Sequence, residues 1–107
     1  MLATLPRFAK GRVMQGHQSI EGAAIVEKTL RGLLVDILGL PKARVAEFDD
    51  QTELFGALPE FDSMAVAALL TGIEERLGVL IEDDDVEAED FATFGKLLAF
   101  AERLALR

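Results

Sequence analysis

An acid, a hydroxyl and a thioether stand in a row at Asp62-Ser63-Met64, within the string Leu58-Pro59-Glu60-Phe61-Asp62-Ser63-Met64-Ala65-Val66. Apolar residues at helical spacing follow at once, which puts the Ser63 hydroxyl at the mouth of a helix. A helix N-terminus presents unpaired backbone N–H groups and a partial positive charge, so the position suits a phosphate, bound or covalently attached. Asp62 can cap the same helix, with Phe61 and Val66 placed as the two ends of a hydrophobic staple. Asp-Ser before an apolar run is ordinarily only a capped helix. Any further meaning must come from the surrounding string.

Other chemistry is sparse. The chain has no cysteine and a single histidine, His17, which lies in a basic leader away from the helical pattern. No phosphate-binding loop is present, and no two carboxylates form an evident acid/base pair, so a catalytic role is not expected. The acidic string Glu82-Asp83-Asp84-Asp85-Val86-Glu87-Ala88-Glu89-Asp90 invites a calcium reading. Counted from Asp83, an EF-hand loop needs glycine where Ala88 stands and glutamate where Phe94 stands, and both fail. The string reads instead as a solvated acidic face at a helix start, and no metal site is expected.

The 107 residues carry a net charge of −8, unevenly distributed. Residues 1–17 hold Arg7, Lys10 and Arg12 and no acid, whereas residues 18–107 hold eight bases and nineteen acids, a net of −11. Such a body repels nucleic acid and attracts partners with basic faces. No apolar run is long enough to span a bilayer. Met1 to Met14 lacks a long apolar h-region, which argues against secretion, and the absence of cysteine suits a reducing cytoplasm. Residues 1–18 are set aside as a flexible leader, an upstream start before Met14 or an expression-derived addition. Residues 19–107 are read as one domain.

Three long elements and one short one are needed to position Ser63. Ser19 is placed as the N-cap of a helix reaching Leu38, with Val26, Leu30, Leu33, Leu34, Ile37 and Leu38 on one stripe. Glu27, Lys28, Arg31 and Asp36 fill the opposite face. Gly39 and Pro41 end that helix. The stretch from Leu40 to Phe61 is long for a loop, and Val45, Phe48, Leu54, Phe55 and Leu58 are expected to pin it across the bundle, with a helical turn near Lys42–Val45 or Leu54–Phe55. A second helix runs from Asp62 to Leu77 on Val66, Leu69, Leu70, Ile73 and Leu77, and stops at Gly78. Val79-Leu80-Ile81 is read as an apolar connection laid on the core. Val86–Phe91 can make a short helix, and Thr93 caps the last one, which buries Phe94, Leu97, Leu98, Ala101 and Leu104. Phe91 and Phe100 join the core. The expected class is all-α: three main helices plus one short helix, with a long loop between the first two main helices.

In this order of elements, the string around Asp62-Ser63-Met64, followed by Leu69-Leu70 and Ile73-Glu74-Glu75-Arg76-Leu77, resembles the phosphopantetheine site and second helix of acyl carrier proteins. The likeness extends over roughly residues 20–106. It implies a 4′-phosphopantetheine arm on Ser63, flanked by Asp62 and Met64, added from coenzyme A by a separate Mg²⁺-dependent phosphopantetheinyl transferase. The protein would then be a non-catalytic carrier, a cytoplasmic monomer that holds acyl or aminoacyl groups as thioesters in fatty acid or other lipid metabolism. Its partners would be that transferase, an acyl-loading ligase or synthase, and downstream acyltransferases with basic docking faces. Glu60, Phe61, Met64, Val66, Ala67 and Glu74 are the expected docking residues. Phe61 stands where the family often has glycine, and Ala65, Val66, Ala67 and Ala68 stand where carriers for fatty acid synthesis usually bear acids. These departures argue against general fatty acid synthesis, and the wording Leu58-Pro59-Glu60-Phe61-Asp62-Ser63-Met64 more closely resembles specialised carriers, such as exosortase-associated or D-alanyl types. The alternatives are a D-alanyl or aminoacyl carrier, or an unmodified acidic helical adaptor.

Overall fold

A computed structural model describes the backbone of residues 15–107 and the side chains from residue 22 onward. Residues 1–14, which make up most of the expected leader, lie outside the described residues, as does the side chain of His17. The element order is α1 (Gln15–Leu38), α2 (Lys42–Ala46), α3 (Ser63–Leu77), two 3₁₀ turns at Asp83–Asp85 and Ala88–Phe91, and α4 (Phe94–Ala105). The all-α expectation holds among the described residues, where the only extended pairing is an isolated bridge between Glu53 and Thr93.

The apolar stripes face one another. Leu30, Leu33 and Leu34 of α1, Leu69 and Ile73 of α3, and Phe94, Leu97, Phe100 and Leu104 of α4 close a single core. Burying each such side chain is worth roughly 1.5–3 kcal/mol relative to exposure. No polar or charged side chain is buried among the described residues. At Gly72, where α1 and α3 cross, a Cβ would come within 2.7 Å of Leu33 and 2.8 Å of Ile37. Gly78 ends α3 with φ 66° and ψ 36°, a left-handed conformation that only glycine adopts without strain.

Two expectations about local structure fail. Ser19 is not an N-cap, because α1 begins at Gln15 and runs through it. No proline stands between Gln15 and Ser19, and the single glycine there, Gly16, costs only about 1 kcal/mol within a helix. Val86–Phe91 is not one helix. The Asp85 carboxylate accepts the Glu82 N–H at 2.9 Å and the Asp90 carboxylate accepts the Glu87 N–H at 2.9 Å, so each aspartate closes one turn locally. Val86 and Glu87 are extended between the turns.

The long loop is stitched down rather than floating. Its helical turn forms as α2, and Val45, Phe48 and Leu54 are buried beneath it. Backbone hydrogen bonds from Leu54 and Phe55 to the Ala92 and Phe91 carbonyls, at 2.9 and 3.0 Å, tie it to the start of α4. Bonds from Phe94 and Gly95 to the Thr52 and Asp50 carbonyls run the opposite way. Phe55, expected to pin the loop, is instead half exposed. Its place inside is taken by Phe61.

Candidate functional site

Phe61 sets the site by pointing the other way from it. Only 2% exposed, it meets Phe55 edge-on at 6.3 Å between ring centroids and Phe91 at 6.4 Å. This anchors the chain one residue before α3 and turns the next residues outward. Asp62 is extended, with φ −103° and ψ −174°, and its Oδ1 accepts the Ala65 N–H at 2.8 Å. Its carbonyl accepts the Val66 N–H at 2.9 Å. Asp62 is therefore the N-cap the sequence suggested, worth typically ~1 kcal/mol.

Ser63 is the first residue of α3 and is exposed. As the first two helical positions, Ser63 and Met64 have N–H groups with no acceptor inside the helix. No protein group takes them among the described residues. Beside the hydroxyl lies a cleft of about 230 Å³ lined by Phe55, Ser63, Val66, Val86, Ala88 and Phe91. Its walls are apolar apart from the serine. No hydrogen bond joins Ser63 Oγ to a base among the described residues, so nothing equips it as a nucleophile in its own right. An exposed hydroxyl, two unclaimed N–H groups and an apolar trough suit a tethered phosphodiester with a chain attached.

The expected docking residues divide. Met64 is 82% exposed and Ala67 is also exposed, while Val66 is half-buried on the cleft wall. Glu60 is exposed, 3.9 Å from the Arg44 guanidinium. Phe61 is a correction: it is a core residue, because a large ring just before the helix gains more from the aromatic cluster than from solvent. Glu74 is committed elsewhere, since its carboxylate accepts the Ile81 N–H at 2.8 Å. Eleven residues along the helix, it stands about 16 Å from Ser63.

The acidic string serves α4. Asp85 pairs with Arg107, Asp90 with Arg103 and Glu89 with Lys96. The Glu82 N–H, and then Arg107, hold the Asp85 carboxyl below its ordinary range, and the Lys96 ammonium does the same for Glu89.

One residue at the root of the loop, expected on the solvent-facing side of α1, is engaged there instead. Arg31 donates to the Val45 carbonyl at 2.6 Å, the Phe48 carbonyl at 3.1 Å and the Glu27 carboxylate at 2.8 Å. Its guanidinium also lies 4.5 Å from the centre of the Phe94 ring.

Comparison with known proteins decides the family. Residues 28–101, well over half the chain, match the family described as the phosphopantetheine attachment site. The chain belongs to that family of acyl carrier proteins. The solution NMR structure of a holo acyl carrier protein from Nitrosomonas europaea is similar, at 36% identity, a TM-score of 0.64, and coverage of 73% of this chain and 92% of that one. No curated protein matches the chain. As a family member it is a non-catalytic carrier of covalently bound 4′-phosphopantetheine. No helix of the described residues is long and apolar enough to cross a membrane.

Proposed function

We propose that Ser63 is the attachment residue, and that the carrier serves a specialised lipid or cell-envelope pathway by presenting acyl or aminoacyl thioesters to partner enzymes. The observation that carries the first part is the placement of Ser63: first residue of α3, exposed, capped by Asp62 and opening onto an apolar cleft. In the modification, Ser63 Oγ bonds to the phosphorus of coenzyme A that bears the pantetheine. The bond from that phosphorus to 3′,5′-ADP breaks, and the serine proton passes to a base on the Mg²⁺-dependent transferase. The arm supplies the thiol that holds the cargo. The protein's own residues orient the phosphodiester: the Ser63 and Met64 N–H groups attract it, by roughly 0.3–1 kcal/mol at such a terminus.

Support for a specialised pathway is the absence of charge on α3 from Ser63 to Ile73. A carrier docking on broad basic faces has little to offer them there, apart from Glu60 and Asp62 ahead of the helix. The partners in this reading are the transferase, one acyl-loading ligase or synthase, and downstream acyltransferases whose basic groups meet those flanking acids. The absence of cysteine fits work in a reducing cytoplasm.

The test is intact mass after incubation with coenzyme A and a promiscuous transferase. One phosphopantetheine should be added, and Ser63→Ala should abolish the addition while leaving the helical circular dichroism unchanged. An adduct on another residue refutes the assignment. Offering the holo-protein D-alanine, other amino acids and fatty acids with their ligases then identifies the cargo.

A further inference from the structure

A second cleft, between α1 and α2, holds about 420 Å³ and is larger than the one beside Ser63. Gly32 and Val35 of α1 and Val45 and Ala46 of α2 supply its apolar lining, while Lys28, Arg31, Lys42 and Asp36 supply its charge. Three bases against one acid reverse the sign of the chain as a whole, which carries −8. Its two walls are fixed together, because Arg31 on α1 donates to the Val45 carbonyl on α2 at 2.6 Å.

Most of this charge is already answered. Arg31 pairs with Glu27 at 2.8 Å, and Asp36 with Arg76 at 2.7 Å. Lys28 and Lys42 are different: both are exposed, and neither enters an ion pair among the described residues. A lysine lays its aliphatic stem along apolar surface and keeps its ammonium in water. Two such side chains over an apolar trough complement a molecule that is greasy along its body and negative at its end. We propose that this groove binds an anionic amphiphile, a small molecule with one acidic head met by Lys28 and Lys42 and a short aliphatic body laid against Gly32, Val35, Val45 and Ala46. The volume lies within the range of about 300–1,000 Å³ typical of small-molecule clefts.

Gly32 points the same way. Glycine weakens a helix interior relative to alanine, so its presence there calls for a reason. At Gly72 and Gly95 the reason is packing, since a Cβ would come within 2.7 and 2.8 Å of its nearest neighbours. At Gly32 a Cβ would meet only Arg76 Nη1, at an ordinary 3.6 Å, outside the helix's own backbone. Packing does not demand glycine at this position. What the missing side chain does is leave the trough open. The groove shares no lining residue with the cleft beside Ser63, and its neighbour Arg76 stands thirteen residues, about 20 Å, along α3 from that serine. Binding here is therefore independent of the attachment reading, and Ser63→Ala should leave it unchanged.

The experiment is an amide NMR titration of the unmodified full chain at neutral pH with octanoate and, separately, octyl phosphate, both below micelle formation. Saturable shifts should centre on Gly32, Val35, Val45 and Ala46 with a Kd of about 1 mM, ordinary for a ligand of about ten heavy atoms. Binding of either compound supports the proposal, and the tighter one names the head group. Replacing both lysines, Lys28→Gln with Lys42→Gln, should weaken octanoate by about tenfold, the loss of two exposed charge contacts. Gly32→Leu should weaken it at least as much by filling the trough; if that variant does not fold, the lysine pair decides. Equal shifts of the same amides with octanol or octyltrimethylammonium refute the charged head, and equal shifts with acetate or inorganic phosphate refute the apolar body. Shifts confined to Ser63, Val66 and Phe91, or a lysine pair that binds like wild type, overturn the assignment. So do shifts of the groove amides with protein concentration alone, which would make a second copy of the chain the occupant.

Discussion

Arg31 stands where α1, the end of α2 and the loop leading to the site all meet, and replacing it with Met isolates what its guanidinium contributes. Methionine keeps much of the aliphatic stem but removes the fork. The side chain is only 26% exposed, so the Val45 and Phe48 carbonyls it serves are poorly replaced by water. At about 1 kcal/mol for each carbonyl, the hydrogen bonds contribute about 2 kcal/mol. The contact with the Phe94 ring adds about 0.5–1 kcal/mol, and the pair with Glu27 one helical turn back about 0.3–0.5 kcal/mol. These groups share one side chain and do not add fully, so a loss of about 2–3 kcal/mol is expected. At about 4–8 °C per kcal/mol for a domain of this size, Tm should fall by about 10–20 °C. Urea unfolding followed by circular dichroism reads the free energy directly, with an unchanged slope if only the native state is affected. Arg31→Lys should recover less than half, because a point charge cannot bridge two carbonyls and lie flat on a ring. Lys28→Met, one turn earlier on an exposed position, is the control and should stay within about 0.5 kcal/mol. Should Arg31→Met cost no more than that control, the clamp is not what holds the loop.

Asp62→Ala should lower stability by about 1 kcal/mol through loss of the cap on Ala65, read by urea midpoint, while leaving the core intact. Gly95→Ala should cost about 1–3 kcal/mol, because a Cβ there would stand 2.8 Å from the Asp50 carbonyl and backbone must move to admit it. Amide exchange at Gly95, whose N–H donates to that same carbonyl, should speed up alongside. Asp85 and Glu89 both have folded-state pKa values below their ordinary ones, so the unfolded chain binds more protons in the acid range. Their contribution is complete above the ordinary carboxylate pKa and is lost as pH falls through the lower folded value. The double variant Asp85→Asn, Glu89→Gln should therefore flatten the decline in Tm below about pH 4.5.

What could be read from the sequence follows from how many positions share a signal. The stripes of α1, α3 and α4 repeat one choice over three or four turns, so their buried faces emerged correctly. Gly78 and Asp62 were legible for another reason: each fits one backbone conformation better than its neighbours would. The loop offered no such redundancy. Phe55 and Phe61 are both apolar, and which ring turns in is set by tertiary packing, where Phe61 lies against Phe91. Arg31 was missed because a cation on an otherwise polar helix face looks solvated unless the carbonyls above it are known. The acidic string carries charge but no periodicity, and its division into two turns depends on which aspartates reach back to the backbone.

The same six-residue stretch from Glu60 to Ala65 meets two demands that pull against each other. A carrier must show its serine to many enzymes, yet a helix start with no cap frays. Burying Phe61 resolves the first demand, because the ring fixes the chain from below and leaves Ser63 outside. Asp62 resolves the second, but would place a carboxylate beside the phosphodiester proposed on Ser63. Two unit charges about 5 Å apart in water repel by about 0.8 kcal/mol before salt screening. The N-terminal attraction for a phosphodiester is of the same order, roughly 0.3–1 kcal/mol. With these terms nearly cancelling, the arm is neither drawn tightly onto α3 nor strongly expelled from it. Under the proposed attachment at Ser63, an arm held in that balance remains available to successive partners.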